Sequence, residues 1–302
     1  MADDKKLTIA EIGEDALIER LVRGLPQGDD VITGPGDDCA VLRSSKAGWL
    51  DLLKTDCILE GVHFLSDTDP AAIGWKAMSR AISDIGAMGG EPQHALVTLL
   101  VSGERSVRYA EEIYKGLRRA AKQFSVSIVG GETSAAPQTM ISIALTGRVR
   151  ESACVPRSGG TPGDLLFVTG RLGGSFQSRH HLDFQPRVTE AQWLAGTHRP
   201  NAMMDLSDGL AKDLPRLAEA SHCGYWIDPE KLPINKGCNL QQAISDGEDY
   251  ELLFAIPLGE SAIMESEWPS RFPDIPLTQI GMLIKDPAAS TKLDGGWDHF
   301  KK

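Results

Sequence analysis

The stretch QHALVTLLVSGERSVRYAEEIYKGLRRAAKQFSVSIVGG, Gln93–Gly131, decides the fold class. Its first part, Gln93–Ser102, is an apolar run whose length and Leu/Val content suit a buried strand. Ser106–Phe124 then reads as a helix studded with Arg, Lys and Glu, and Ser125–Val129 as a strand ending at Gly130-Gly131. The alternation continues outward. Downstream, Met140–Val149 is another strand. Upstream, Asp69-Pro70 caps a helix that runs to the stop at Gly89-Gly90, Cys39–Arg43 and Trp49–Ile58 are strand-like, and Glu11–Leu25 is a charged amphipathic helix. Strands alternating with helices predict a layered, mixed α/β or α+β fold.

At roughly 150 residues per domain, the 302 residues of the chain correspond to about two domains. The turn-rich segment ESACVPRSGGTPG between Arg150 and Asp164 is the natural divide, giving 1–150 and 151–302. The second half repeats the style of the first. Strands are expected at Leu165–Thr169, at Ala202–Leu206 running into a helix over Asp208–His222, at Tyr225–Asp228 and at Tyr250–Ile256.

Composition narrows the function classes. Forty-two acidic against 31 basic residues leave a net charge of −11, which argues against a broad phosphate-binding surface for nucleic acid and favours a cation site. The beginning MADDKKLTIAEIGEDALIERL is no secretory signal, and no run of about 18 apolar residues offers a membrane span, so a cytoplasmic protein is expected. Five scattered cysteines without C-x-x-C spacing read as small buried thiols rather than a disulfide framework or zinc site.

Several carboxylates stand where solubility does not explain them. Asp37-Asp38 follow Gly34-Pro35-Gly36 and either satisfy turn amides or point to a site. Asp56 interrupts an apolar strand, where aspartate is disfavoured. Asp84 lies near the C-terminal, negative end of its helix, where a cation would be favoured. Glu132 follows two glycines that let a phosphate approach the backbone. Asp205 and Asp208 flank a strand-to-helix junction, where Ser207 or Asp208 could equally be a plain N-cap. If these seven carboxylates converge, their repulsion requires cations, and an all-oxygen donor set points to Mg²⁺ and hence to nucleotide phosphates. No P-loop or protein-kinase motif set is present.

Taken in order, GPGDDCAV (Gly34–Val41), KTDCILEGVHF (Lys54–Phe64), DPAAIGWKAMSRAISDIGAMGGEP (Asp69–Pro92), IVGGET (Ile128–Thr133), PRSGGTPGD (Pro156–Asp164), MDLSDGLAKDL (Met204–Leu214), DGEDYELLF (Asp246–Phe254) and GWDHF (Gly296–Phe300) resemble the thiamine-monophosphate kinases, a family of the aminoimidazole ribonucleotide synthetase superfamily. The resemblance implies a two-domain fold: an N-terminal sheet domain that binds ATP and Mg²⁺ and makes a homodimer, and a C-terminal α+β domain. It implies that Asp38, Thr55, Asp56, Asp84, Glu132, Asp205 and Asp208 hold magnesium ions. Gly131, Glu132, Arg157 and Ser207 would contact ATP, and His63, Glu248 and Trp297 the thiamine monophosphate. The chain also departs from the pattern. Lys54 stands where many members carry a small hydroxyl residue, Glu132 replaces a frequent aspartate, and the segment RLGGSFQSRHHLDFQPRV, Arg171–Val188, is compressed.

The activity so implied is ATP-dependent phosphorylation of thiamine monophosphate to thiamine diphosphate, by direct transfer without a covalent enzyme intermediate or a dedicated base. The rival readings are another ATP-using enzyme of the superfamily and a non-catalytic acidic Mg²⁺- or nucleotide-binding module. Selenophosphate synthetase would want a reactive Cys in a glycine-rich N-terminal segment, but none precedes Cys39.

Overall fold

A computed structural model describes residues 7–300. The first half folds as α1 (Ile9–Val22), β1 (Val31–Thr33), β2 (Ala40–Arg43), β3 (Trp49–Leu59), α2 (Pro70–Ala87), β4 (Glu91–Val101), α3 (Val107–Gln123), β5 (Ser127–Ala135) and β6 (Met140–Arg150). The second half adds β7 (Leu165–Thr169), α4 (Ser175–Ser178), α5 (His180–Asp183), α6 (Val188–Trp193), β8 (Ala202–Asp205), α7 (Leu210–Ala220), β9 (Gly224–Ile227), α8 (Leu240–Ser245), β10 (Leu252–Ile256), α9 (Leu258–Arg271) and β11 (Leu277–Ile284). The expected mixed α/β, α+β class is what forms, as two sheets. One has the order β1-β2-β3-β6-β4-β5, the other β8-β10-β7-β11-β9. Among the strands of the described residues, only β4 and β5 pair in parallel, across the α3 crossover that Gln93–Gly131 encodes.

Alternation along β3 shows how the first sheet is dressed. Leu50, Leu52 and Ile58 point into the core, and Lys54 and Asp56 follow the same face toward α2, while Leu53, Thr55 and Cys57 are exposed on the other. The helices α2 and α3 cover the inner face, touching backbone to backbone. A Cβ on Gly74 would sit 1.9 Å from the Ile113 carbonyl oxygen, and one on Gly116 1.9 Å from that of Ala71, so both positions require glycine. The outer face keeps Leu53, Leu96 and Val129 exposed. In the second half a core of Leu166, Met204, Leu214, Leu253 and their neighbours lies between the sheet and α7. Beyond the turn-rich segment the chain returns to the first core, where Leu182 and Val188 are buried. Among the described residues no helix is long and apolar enough to cross a membrane.

Three expectations need correction. The strand expected to stop at Gly130-Gly131 instead runs through both to Ala135, because the missing Cβ of Gly131 lets the strand lie against the Val97 carbonyl. The helix expected from Asp208 starts at Leu210, after Gly209 with φ +97°, and its first amides receive no side-chain cap. The helix α1 is not packed by an apolar stripe: Gly13 leaves helical geometry at φ +78° and is its one buried residue, while Ile18 and Leu21 are exposed. Its anchors are ionic, Glu14 to Lys212 at 2.6 Å and Asp15 to Arg216 at 2.7 Å. The compressed segment after Gly170 forms two single helical turns, α4 and α5, joined through Arg179 at φ +65°.

Candidate active site

The helix α2 carries the centre of the site. Asp69 caps it by accepting the Ala71 N–H, and Pro70 fits the first turn. Lys76, Arg80, Ser83 and Asp84 recur at helical spacing, so one buried face bears three charges.

At the C-terminal end of that face Asp84 meets Asp38, which leads into β2, and Asp205, the last residue of β8. One carboxylate oxygen from each lies within 4.8 Å of the others, and all three residues are buried. Neighbours hold them: Arg157 Nη2 is 2.5 Å from Asp38 Oδ1, Lys54 Nζ 2.8 Å from Asp84 Oδ1, and the Ser83 hydroxyl donates to Asp205 at 2.5 Å. Asp38 Oδ2 is buried without a hydrogen-bond partner. Burial, and then the Asp38 charge, raise the Asp205 carboxyl to about 7. Burial also raises Asp84 well above the usual range, with Lys54 opposing. Burial disfavours charge on Lys54 itself, but Asp84 and Asp56 outweigh it and raise its pKa. This is like-charge crowding of the kind a divalent cation relieves.

Asp37 serves turn amides: its carboxylate accepts the N–H groups of Asp38 and Arg157. Asp56 pairs with Arg80 at 3.2 Å, and Asp208 with Arg216 at 2.7 Å. Ser207 and Asp208 are not N-caps; both donate their N–H groups to the buried carboxylate of Asp213 at 2.9 Å. Thr55 and Glu132 stand apart from the triad. Thr55 faces Ala144 and Glu132 faces Thr98, both on the exposed outer side of the first sheet.

His63, Glu248 and Trp297, from three distant stretches, line one cavity of about 420 Å³, together with Arg80, Ser207, Asp208 and Phe176. His63 Nδ1 accepts the Leu59 N–H at 3.1 Å, which leaves the proton on Nε2. Burial, aided by the Arg80 and Lys76 charges, pushes its pKa down to about 3, so the ring is neutral. Glu248 and Tyr250 hold left-handed backbone at φ +66° and +51°, a local strain typical of functional loops. Trp297 is half-exposed, with its N–H bonded to the Asp208 carbonyl and its own carbonyl to Lys212. Sequence reasoning missed Lys76, Arg80, Phe176, Tyr250 and His299 at this site. Lys76, Arg80 and Asp84 at steps of four were the available signal, since they put charge on a face otherwise apolar.

Fold and site together define a class. Residues 36–149 match the family described as AIR synthase related protein, N-terminal domain. Thiamine-monophosphate kinase of Rhodopirellula baltica is 38% identical over 288 residues, covering 89% of this chain and 88% of that one. The Aquifex aeolicus enzyme of the same name is 33% identical over 330 residues, covering 97% and 100%. A solved structure described as AaThiL complexed with AMPPCP and TMP superimposes with a TM-score of 0.82 at 31% identity, covering 97% of this chain and 99% of the other. The chain belongs to the thiamine-monophosphate kinase family.

Proposed function

We propose that this protein transfers the γ-phosphoryl group of ATP to thiamine monophosphate, giving thiamine diphosphate. The observation that carries the reading is the adjacency of two features along α2: a buried carboxylate triad, and a cavity offering an aromatic ring, a neutral histidine and a carboxylate. A permanently cationic thiazolium ring suits such a cavity, because Trp297 supplies a π face, Glu248 a carboxylate whose charge it shares with the buried Lys76, and the depressed pKa of His63 adds no further positive charge beside Arg80. The solved relative described with both AMPPCP and TMP supports the same pair of substrates.

The donor set fits Mg²⁺. Its atoms are all oxygen, they crowd within 4.8 Å, and Asp38 Oδ2 has no other partner. Asp38, Asp84 and Asp205 would hold the ion. Asp56 and Asp208 join the set by exchanging their arginine partners, and Thr55 and Glu132 are assigned by resemblance alone. Bound Mg²⁺ supplies charge neutralisation at the transferring phosphoryl group. Arg157, already beside Asp38, is assigned to the ATP phosphates with Ser207, Glu132 and the Gly131 backbone. No residue need deprotonate the acceptor, since a phosphate monoester with a second pKa near 6 is mostly ionised at neutral pH. Positioning then accounts for most of the rate.

The reading includes a division into an N-terminal domain, 1–150, for ATP, Mg²⁺ and dimerisation and a C-terminal α+β domain, 151–302. A second copy of the chain would cover Leu53, Leu96 and Val129 on the outer face of the first sheet. A cytoplasmic location agrees with the five free cysteines. The test is direct: purified protein with ATP, thiamine monophosphate and Mg²⁺ should form thiamine diphosphate, and a chelator should stop it. Absence of that product at saturating substrates would overturn the reading.

A further inference from the structure

Lys76 is the one lysine on α2, and its side chain is completely buried. An isolated buried ammonium is costly, so its partners explain its presence. It has two, and both belong to the cavity wall. Its Nζ donates to the His63 carbonyl at 2.6 Å and lies 2.6 Å from Glu248 Oε1. His63 sits between β3 and α2, whereas Glu248 sits between α8 and β10, on the other half of the molecule. Glu248 is also held at φ +66°, a conformation that persists only where surroundings enforce it. Its N–H bond to the Ser207 carbonyl fixes the backbone, but among the described residues no other ion pair holds its carboxylate. Burial lowers the Lys76 pKa to about 8, with Glu248 opposing, so the ammonium persists at neutral pH.

We propose that Lys76 is a positioning residue for the phosphate acceptor: it clamps the His63 loop and the Glu248 carboxylate in the arrangement that receives the cationic ring, without touching ATP. The inference rests on the acceptor-cavity reading and adds a residue to it.

Steady-state kinetics with each substrate varied in turn would test it. Lys76→Met should raise the KM for thiamine monophosphate at least tenfold, leave the KM for ATP within about twofold, and change kcat less than the acceptor KM. Lys76→Arg, which keeps the charge, should recover part of the loss. Lys76→Gln, which keeps a donor for the His63 carbonyl but no charge, serves where the methionine variant fails to fold, and should also raise the acceptor KM. An unchanged acceptor KM in a folded Met or Gln variant overturns the proposal. So does equal weakening of both substrates with no recovery in Lys76→Arg, since that is the behaviour of a merely structural lysine. Trp297→Ala separates this from the cavity reading: if it leaves the acceptor KM unchanged, the cavity itself is misassigned. If it raises that KM while the Lys76 variants do not, only the role of Lys76 falls.

Discussion

Asp205→Asn should make the metal-free protein more stable while depriving it of its response to magnesium. Asp205 is buried beside Asp38, and its carboxyl is raised from 3.8 to about 7. A folded-state pKa above the unfolded one means that the native state binds the extra proton. The associated stability is therefore complete below pH 4 and is lost as pH rises to 7. Three pH units at about 1.4 kcal/mol each give a ceiling of ~4 kcal/mol carried by this one carboxyl at pH 8. Asparagine keeps an acceptor for the Ser83 hydroxyl but removes the charge, so the variant should gain up to ~4 kcal/mol at pH 8, and about 3 kcal/mol less than that at pH 5. Magnesium at a hundred times its dissociation constant should stabilise the wild type by about 2.7 kcal/mol and the variant by little. Denaturant unfolding followed by circular dichroism, at pH 5 and pH 8, with chelator or with Mg²⁺, measures all four quantities. A variant no more stable than the wild type at pH 8 in chelator would refute the crowding argument, and an equal response of both proteins to Mg²⁺ would refute the assignment of Asp205 as a ligand.

Asp56→Asn should behave in the opposite way in chelator, because it strands the guanidinium of Arg80: a loss of about 1–3 kcal/mol in unfolding experiments, and turnover at least tenfold lower with Mg²⁺ present. Trp297→Ala should raise the KM for thiamine monophosphate about tenfold with little change for ATP, as expected for a lost cation–π face; a parallel rise for both substrates with a lower Tm would instead mark the tryptophan as an anchor of the C-terminal segment. Direct transfer predicts intersecting lines in two-substrate kinetics and no labelled protein after incubation with γ-labelled ATP alone; a parallel pattern or a trapped phosphoprotein would contradict it.

Much of this was legible before the fold. Periodicity located the β4-α3-β5 crossover, since a helix with apolar residues at steps of three and four between two apolar runs has few other solutions. The oddity of Asp84 at the wrong end of a helix flagged the triad, and the convergence with Asp38 and Asp205 gives that oddity its meaning. Strand boundaries were less legible. Gly131 reads as a breaker locally but is a strand residue here, because a neighbouring carbonyl that no local pattern reveals needs the space. Ser207 and Asp208 looked like caps for the same reason: the acceptor for their amides, Asp213, lies inside the following helix. Lys76 and Arg80 were hidden in plain motif residues, their roles set by partners far away in sequence, Glu248 and Asp56.

The close packing of Gly74 against Ile113 and of Gly116 against Ala71 has a mechanical corollary. Pinned against α3 at its first turns, α2 is a rigid rod, and from Lys76 to Asp84 it advances about 12 Å at 1.5 Å per residue. It therefore acts as a gauge that fixes how far the Lys76 end of the helix, beside His63 and Glu248, stands from the carboxylates. A one-residue insertion between those positions would swing Asp84 by about 100° around the axis and take it off the shared face, however well each half of the site were preserved. On the proposed assignment an acceptor must be long enough to span the gauge, so a ring system without a phosphate arm should bind in the cavity and still leave its reactive end short of the carboxylate triad.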